Sequence, residues 1–438
     1  MAVLLSNNGA GVLASSIAAG ATSITLQTGE GARFPSPAAG DWFPITLLKS
    51  SGQFEICRCT ARSGDTLTIT RAQEGTTALA FSAGDRAELR LTVNALAGSI
   101  LSGFRNKIIN GKMEIAQRGT SFPAIGNNVY SLDRWRLLQA VSTAVGTITQ
   151  QPDVPSSNEF QNSLRYTVTT ADASLGATER TYLTQPIEGY NVRDLIGRTF
   201  TLSFWVRSSK TGIHCLALKS DLYDRTWVAE YTINSANTWE FKTITVSGGL
   251  ITAGAWNWTN GFGLEVAFTL ASGSNFNTTA NAWQTGDFLA TANQVNVLDT
   301  VGNIFAITGV QLEVGSVATP FEHTTIEQET ARCQRYFYRL DALEPVSMGH
   351  FRGSTTVCSH MFKHPVKMRA APTAVFSSAA AFNIYSSIGA PTSSANVVIA
   401  STDDSIWIDS TSAVAATSNT PAMVVVASGS YLDLSAEL

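Results

Sequence analysis

The chain has 438 residues, enough for two to four domains that each bury a core. Charged residues make up only 14% of it, against about 25% in ordinary soluble domains, and the formal net charge is −4. This composition has no excess of positive charge to attract phosphate groups. It therefore argues against nucleic acid and acidic membranes as ligands.

The sequence also lacks signals for membrane insertion and secretion. No run reaches the roughly 18 apolar residues that a membrane-spanning helix needs. The first basic residue is Arg33, so no cationic region precedes the apolar start of the chain. We therefore expect no membrane insertion.

Residues 1–92 are predicted to form a small β domain. Apolar and polar residues alternate from Thr66 to Thr70, and Gly64 and Gly84 stand in the predicted turns. The run Ile69-Thr70-Arg71-Ala72-Gln73-Glu74-Gly75-Thr76-Thr77 resembles the amino-terminal particle-docking domains of bacteriophage tail fibres. This resemblance implies that the domain attaches the protein to a phage tail or baseplate.

Two cysteines of this domain, Cys57 and Cys59, stand on one face of a predicted strand. Their expected Cα separation of about 6 to 7 Å along one strand suits a disulfide poorly. No second ligand pair follows at the spacing of a zinc site. Buried free thiols are therefore favoured over metal binding.

Residues 93–107 are predicted to be a helical linker. A helical stripe of apolar residues comprises Val93, Leu96, Ala97, Ile100, Leu101 and Phe104. The stripe could cap the first domain or associate with other copies of the chain along a fibre axis. It is too short to decide between these alternatives.

Residues 108–323 are predicted to form a β-sandwich. Apolar residues alternate in Phe200–Val206 and in Phe262–Phe268, as in strands with one face in a core. Many such strands without intervening helices favour two packed sheets.

Two motifs bracket this region. They are Asn110-Gly111-Lys112 with Gln117-Arg118-Gly119 and Leu132-Asp133-Arg134-Trp135, and Gly309-Val310-Gln311-Leu312-Glu313-Val314-Gly315 with Pro320-Phe321-Glu322 and Cys333-Gln334-Arg335-Tyr336-Phe337-Tyr338. They resemble the opening and closing strands of the jelly-roll module in phage tail fibres and tail-tip proteins. The resemblance implies the jelly-roll topology of carbohydrate-binding modules.

Aromatic residues beside polar turns are the candidate glycan contacts of this module. A sugar ring needs a flat aromatic platform with polar donors and acceptors around it. The candidates are Trp256, Trp258, Asn257, Asn260, Trp227 and Trp239. If residues 256–258 form a strand, both indoles share one face, so core packing is the competing interpretation and is favoured over a platform.

The sequence carries no catalytic motif such as Gly-x-Ser-x-Gly or His-Glu-x-x-His, so no enzyme activity is expected. Asp221, Asp224 and Glu230 could form a carboxylate pair for glycoside hydrolysis, but a polar loop between strands is the simpler interpretation. His360 and His364 are too far apart on a strand to share one metal ion. No cofactor is predicted, although related jelly rolls often hold a structural calcium that such loop carboxylates could bind.

Residues 324–340 are predicted to be a linking helix. A capping box is assigned to Thr324 and Glu327, where a hydroxyl and a carboxylate would satisfy the first backbone N–H groups. The seam Ile326, Thr330, Cys333 and Phe337 suits either docking on a sheet or threefold self-association.

Residues 341–438 are predicted to form a C-terminal β domain and a candidate receptor-binding tip. The run Phe362-Lys363-His364-Pro365-Val366-Lys367-Met368-Arg369-Ala370-Ala371-Pro372-Thr373 resembles the start of the domain that follows the jelly roll in tail fibres. The candidate contact residues at this tip are His350, Arg352 and Trp407.

The expected architecture is therefore all-β and elongated, with tandem β domains, a central jelly-roll sandwich and short linking helices. The resemblance implies a homotrimeric virion protein, made in the host cytoplasm, that attaches a phage to a surface glycan of its bacterial host. Such binding would be non-covalent and multivalent. The alternatives are a structural connector of tail or baseplate without a receptor, and a glycan-degrading tail enzyme.

Overall fold

The computed structural model describes residues 3–38, 41–93, 95, 104–156, 159–352, 356–387 and 389–438. The chain is nearly all β, which confirms the predicted fold class. It divides into two compact units, Met1–Arg105 with Ala318–Glu322, and Asn106–Val317 with His323–Leu438. No helix in these ranges is long and apolar enough to cross a membrane.

The first unit contains one six-stranded antiparallel sheet with the order β1-β6-β3-β4-β5-β2. Its strands are β1 (Ala10–Val12), β2 (Ser23–Thr25), β3 (Phe43–Leu48), β4 (Phe54–Ser63), β5 (Thr66–Gln73) and β6 (Arg86–Glu88). Cys57 and Cys59 are free and buried in the core of this unit, which confirms the predicted thiols. Burial raises the pKa of each thiol to about 12, so neither is a reactive thiolate at neutral pH.

The predicted helical linker, residues 93–107, lies partly outside the described residues. Residues 94 and 96–103 are not described, so the stripe formed by Leu96, Ala97, Ile100 and Leu101 stays a prediction.

The second unit begins with a sandwich of two antiparallel sheets. Their strand orders are β16-β13-β19-β11-β10-β7 and β18-β15-β14-β17-β12-β9-β8. The strands are β7 (Ser121–Phe122), β8 (Val129–Tyr130), β9 (Arg136–Ala140), β10 (Val145–Gln151), β11 (Ser163–Thr170), β12 (Arg180–Glu188), β13 (Phe200–Ser208), β14 (Gly212–Lys219), β15 (Arg225–Ile233), β16 (Glu240–Val246), β17 (Phe262–Ser272), β18 (Trp283–Thr285) and β19 (Ile304–Val314). Short 3-10 helices lie at Gly31–Arg33 in the first unit and, in the sandwich, at Gly189–Asn191, Arg193–Leu195, Asp221–Tyr223, Ser274–Phe276 and Val297–Asp299.

Side-chain alternation explains how the two sheets meet. Phe200, Leu202, Phe204 and Val206 of β13 point into the shared core, as predicted. Phe204 meets Phe268 of β17 edge to face, with ring centroids 5.0 Å apart. Edge-to-face pairs of this kind add to the free energy gained by burying the rings.

Three residues of the opening motif, Asn110, Gly111 and Asp133, are buried in the sandwich. Asn110 is buried, and its side chain bonds Ile115 through both its amide nitrogen and its amide oxygen. A Cβ on Gly111 would lie 2.3 Å from the carbonyl oxygen of Val310, so only glycine fits there. Asp133 accepts hydrogen bonds from the backbone and side chain of Gln117. These three residues therefore stabilise the fold of the sandwich.

The linking helix is shorter than the predicted residues 324–340. Helix α1 covers Ile326–Gln334, and its capping box joins Thr325 to Gln328, one residue later than predicted. Because the helix ends at Gln334, Phe337 lies in a strand and the predicted seam is interrupted. Ile326 is exposed, whereas Cys333 is buried.

The rest of the second unit contains a three-stranded sheet, β20-β28-β23, and a six-stranded sheet, β24-β27-β21-β22-β26-β25. The strands are β20 (Phe337–Leu340), β21 (Pro345–Phe351), β22 (Val357–Lys363), β23 (Thr373–Phe376), β24 (Phe382–Tyr385), β25 (Ser393–Ser401), β26 (Ser405–Ser412), β27 (Pro421–Val426) and β28 (Leu432–Ser435). Apolar side chains of both sheets share one core, which includes Phe351, Phe382, Ile408, Val424 and Leu434.

Buried ion pairs join these C-terminal sheets to the sandwich. Glu437 pairs with Arg118 at 2.9 Å and with Arg134, whose side chain is almost fully buried. The guanidinium of Arg118 lies 3.5 Å from the ring centroid of Phe337, and that of Arg134 lies 3.7 Å from Tyr336. The end of the chain and the opening motif therefore belong to one packed junction.

Because of this junction, we expect Glu437→Gln to lower the stability of the second unit strongly. The substitution leaves the buried charge of Arg134 uncompensated, so we expect a loss of about 3 kcal/mol in the free energy of unfolding of the second unit. Denaturant unfolding measures this loss. Asp403→Asn is the matched control, because its ion pair with Lys367, at 3.1 Å, is exposed and should cost at most about 0.5 kcal/mol. Equal losses in the two variants would contradict the buried role.

His360 predicts a pH-dependent stability of the C-terminal core. Its ring nitrogens contact the hydroxyls of Ser347 at 3.1 Å and Ser410 at 3.0 Å, and burial lowers the pKa of His360 to about 4. The unfolded chain binds this proton below a pH of about 6.5, so protonation favours unfolding as the pH falls from 6.5 towards 4.

We therefore expect the wild type to lose about 3 kcal/mol more stability than His360→Gln between pH 7 and pH 4. Thermal or denaturant unfolding at a series of pH values measures the difference. Parallel pH profiles for the two proteins would show that His360 is not the titrating group.

Candidate functional site

Three tryptophans form a half-buried cluster at the edge of the sandwich core. The indoles of Trp256 and Trp258 stack with centroids 5.4 Å apart and planes 13° apart. Trp283 of β18 meets Trp256 edge to face at 5.6 Å and 80°. All three pack against the core on one side and are partly exposed on the other. We call these three residues the tryptophan cluster.

The stacking differs from what strand alternation predicts. Residues 251–261 form a loop between β16 and β17, so the two indoles come together through the loop conformation. The predicted alternatives were a position in the core and an exposed platform. The side chains combine the two, because they cover the core edge and keep part of their surface exposed.

Hydrogen bonds fix the loop that carries the stacked pair. The side-chain oxygen of Asn257 accepts from the backbone N–H and the hydroxyl of Thr259, both at 2.8 Å. The carboxylate of Asp224 accepts from the backbone N–H of Ala255 at 3.0 Å. Tyr190 donates its backbone N–H to the Thr259 carbonyl at 2.8 Å. Asn257 therefore positions the loop. Its side-chain oxygen already accepts hydrogen bonds within the loop, so we do not expect it to bind a ligand.

A close backbone approach also requires glycine at position 189. A Cβ on Gly189 would lie 2.1 Å from the carbonyl oxygen of Asn257. The backbone N–H of Gly189 donates to the carbonyl of Gly261 at 2.9 Å. Both contacts of Gly189, with Asn257 and with Gly261, therefore hold the loop against the end of β12.

Polar groups at the rim of the cluster could bind hydroxyls. Hydrogen bonds from the Ser220 hydroxyl and the Ala255 amide hold the pKa of Asp224 below its usual value, so this carboxylate is ionised at neutral pH. Trp258 Nε1 makes no hydrogen bond to any described residue and can donate to a ligand. Trp256 Nε1 instead donates to the carbonyl of Ala253 at 2.9 Å.

Asn260, another predicted contact, lies exposed at the end of the same loop. Its amide donates to the carbonyl of Arg369 at 3.3 Å, and the Arg369 guanidinium donates back to the Asn260 carbonyl at 2.9 Å. This pair of contacts ties the loop to the C-terminal part of the same unit.

The two remaining predicted tryptophans lie outside the cluster. Trp227 is 5% exposed and part of the sandwich core, so its indole has no free face for a ligand. Trp239 is half-buried, and its Nε1 donates to Asp153 at 3.2 Å. Trp283 is not among the residues predicted from the sequence. It reaches Trp256 because β18 pairs with β15 at Trp227.

The predicted tip residues share one face of the C-terminal six-stranded sheet. Arg352 pairs with Asp409, and its guanidinium lies 5.6 Å from the ring centroid of Trp407. His350 is exposed two residues before Arg352. The structure therefore brings Arg352 and Trp407 together, with His350 on the same side of β21.

The carboxylates singled out in the sequence lie partly in a turn and partly in a strand. Asp221 and Asp224 lie in the turn between β14 and β15, as the simpler interpretation predicted. Burial, with the charge of Asp224, raises the pKa of Asp221. Glu230, in β15, accepts a hydrogen bond from Asn293 at 2.9 Å. Among the described residues, no three His, Cys, Asp or Glu side chains lie close enough to hold a metal ion.

Comparison with known proteins gives remote structural similarities. No protein-family model and no curated protein matches the chain. The enzymatically active domain of tailspike protein 4 of bacteriophage CBA120 is 21% identical over 49% of this chain, with a TM-score of 0.29. The present chain covers only 22% of that tailspike chain.

Carbohydrate-binding modules are also similar. A CBM4 module is 14% identical over 47% of this chain and 98% of the module, with a TM-score of 0.26. The family 11 module of a Clostridium thermocellum cellulosomal cellulase is 12% identical over 46% of this chain and 98% of the module, with a TM-score of 0.25. Similarities of this extent assign no ligand and no activity to this chain.

The loop geometry predicts that Asn257→Ala loosens the stacked pair. The substitution removes the acceptor of the Thr259 hydrogen bonds, so we expect a weaker exciton signal of the two indoles in circular dichroism and a stability loss of about 1 kcal/mol. Asn234→Ala is the control, since its amide contacts Glu240 at 2.9 Å on an exposed turn. An unchanged exciton signal in Asn257→Ala would mean that Asn257 does not position the indoles.

Proposed function

We propose that this protein is a virion tail fibre protein that attaches a phage to its bacterial host by binding a surface glycan. The observation that carries the proposal is the stacked, half-exposed pair Trp256 and Trp258 with a polar rim. An aromatic platform packs against the C–H face of a sugar, while neighbouring donors and acceptors bind its hydroxyls.

The rim suits a neutral or hydroxyl-rich sugar better than an anionic one. Asp224 supplies a negative charge near the loop, and Trp258 Nε1 supplies a donor. Arg225 is nearby, but its guanidinium donates to the carbonyl of Asp224 at 2.7 Å. We expect weak binding at each copy that becomes effective when several copies act on one particle.

The motifs that resemble tail fibres support a place for the protein in a virion. The N-terminal unit would dock on a tail or baseplate protein, and three copies would assemble into a fibre. The protein would be made in the host cytoplasm and act on the released particle. Binding would be non-covalent, because no motif for covalent chemistry occurs in the sequence.

A second candidate function is a structural connector without a receptor. The buried junction of Glu437 with Arg118 and Arg134 favours this function. It makes the second unit rigid, and a connector between parts of a tail or baseplate needs rigidity. The two functions differ in whether the isolated protein competes for the host surface.

The test is competition for phage adsorption. Purified wild-type protein should reduce the number of phage particles that attach to host cells, and Trp256→Ala/Trp258→Ala should need at least about ten times more protein for the same effect. Trp205→Ala is the matched control, because Trp205 is also half-buried and packs on Phe241 with centroids 5.4 Å apart. It lies on the outer face of the opposite sheet.

Two outcomes would contradict the proposal. If the double variant competes as well as the wild type, the tryptophan cluster is not the binding site. If the wild type does not compete although it assembles into particles, the connector function is correct.

A further inference from the structure

The six-stranded C-terminal sheet has an apolar outer face. Its inner face carries core residues such as Ile406 and Val424. One row of outward side chains crosses all six strands and comprises Tyr385, Met423, Met348, Met361, Trp407 and Ala400. We call this row the methionine face.

Strand register shows that the row is continuous. Met423 pairs with Tyr385 on one side and with Met348 on the other. The pairing of Gly349 with His360 places Met348 opposite Met361. Trp407 pairs with Met361 on one side and with Ala400 on the other. Each side chain therefore has an outward neighbour about 5 Å away on the next strand.

Such a row is unusual on the solvent side of an antiparallel sheet, which normally carries polar residues. Met348 is 68% exposed and Met361 is 61% exposed. Val397 and Ile399 of β25 are also exposed and enlarge the apolar surface. Contiguous exposed apolar surface of this kind marks interaction sites.

The area and the charge of the face point to the kind of partner. The exposed apolar side chains amount to on the order of 700 Å², near the roughly 800 Å² per partner of a stable protein interface. The charges beside the row are largely paired, because Arg352 contacts Asp409 and Lys363 contacts Asp404 at 3.4 Å. The faces of neighbouring copies can therefore meet around a common axis with little like-charge repulsion.

A sugar fits this face less well than a protein does. The centre of the row consists of Met423, Met348 and Met361, which offer no strong hydrogen-bond donors or acceptors. Methionine side chains are flexible and polarisable, so they adapt to another apolar surface. This chemistry suits a dry contact between proteins.

We propose that the methionine face is the surface through which copies of this chain associate. The assignment deepens the proposed homotrimer by naming its contact surface in the C-terminal sheet. It is independent of glycan binding at the tryptophan cluster, so an adsorption experiment and a measurement of assembly can fail separately.

The first test is the mass of the full-length protein by analytical ultracentrifugation. The wild type should sediment as a multiple of the 46.6 kDa chain, and Met348→Lys/Met361→Lys should sediment as a monomer. Val141→Lys/Val301→Lys is the matched control. Val141 is 70% exposed and Val301 is 61% exposed, and both lie in turns of the sandwich. It should remain an oligomer.

Three outcomes would overturn the assignment. They are a monomeric wild type, an oligomeric methionine variant, and dissociation of the control as well. If the wild type is monomeric and the methionine variant fails to compete for adsorption, the face binds a host receptor and self-association is wrong.

A second measurement needs no substitution. Peroxide oxidises accessible methionines to sulfoxides, which mass spectrometry locates. In the assembled wild type, Met348 and Met361 should react about as slowly as the buried Met113 and Met368, and faster after dilution has separated the copies. Fast oxidation of Met348 and Met361 in the assembled protein would overturn the assignment.

Discussion

The buried charge of Arg134 is the constraint on which the second unit depends. A guanidinium without water needs a carboxylate partner and further contacts, because an unpaired buried charge costs several kcal/mol. Glu437 supplies the carboxylate, Tyr336 covers the guanidinium, and the Pro186 carbonyl accepts a hydrogen bond at 2.5 Å. The sandwich, the segment after helix α1 and the segment after the last strand are therefore tied together at one point.

This junction holds the tryptophan cluster and the methionine face in one compact unit. Arg369, whose guanidinium also donates to the carbonyls of Ala436 and Glu437, contacts Asn260 in the loop of the tryptophan cluster. The methionine face lies on the sheet that shares its core with β28. Removing residues 341–438 would therefore expose buried charges of the sandwich, and point substitutions separate the surfaces better than a truncation does.

Local sequence patterns predicted much of the fold and less of the candidate site. The alternation in β13 placed Phe204 in the core, and the capping box of α1 was found one residue early. The cluster depended on distant pairing: Trp283 reaches Trp256 only through the β15–β18 pair, and a loop stacks Trp258 on Trp256. Strand alternation predicts neither of these contacts. The pairing of Arg134 with Glu437 spans most of the chain, so no local pattern predicts it either.

We propose that the tryptophan cluster binds a host glycan without cleaving it. The most direct measurement is a titration of purified protein with fragments of host surface polysaccharide, followed by tryptophan fluorescence and by the chain length of the polysaccharide. We expect a saturable fluorescence change that Trp256→Ala/Trp258→Ala abolishes, with no shortening of the fragments. An absent fluorescence change, or shortened fragments, would contradict it.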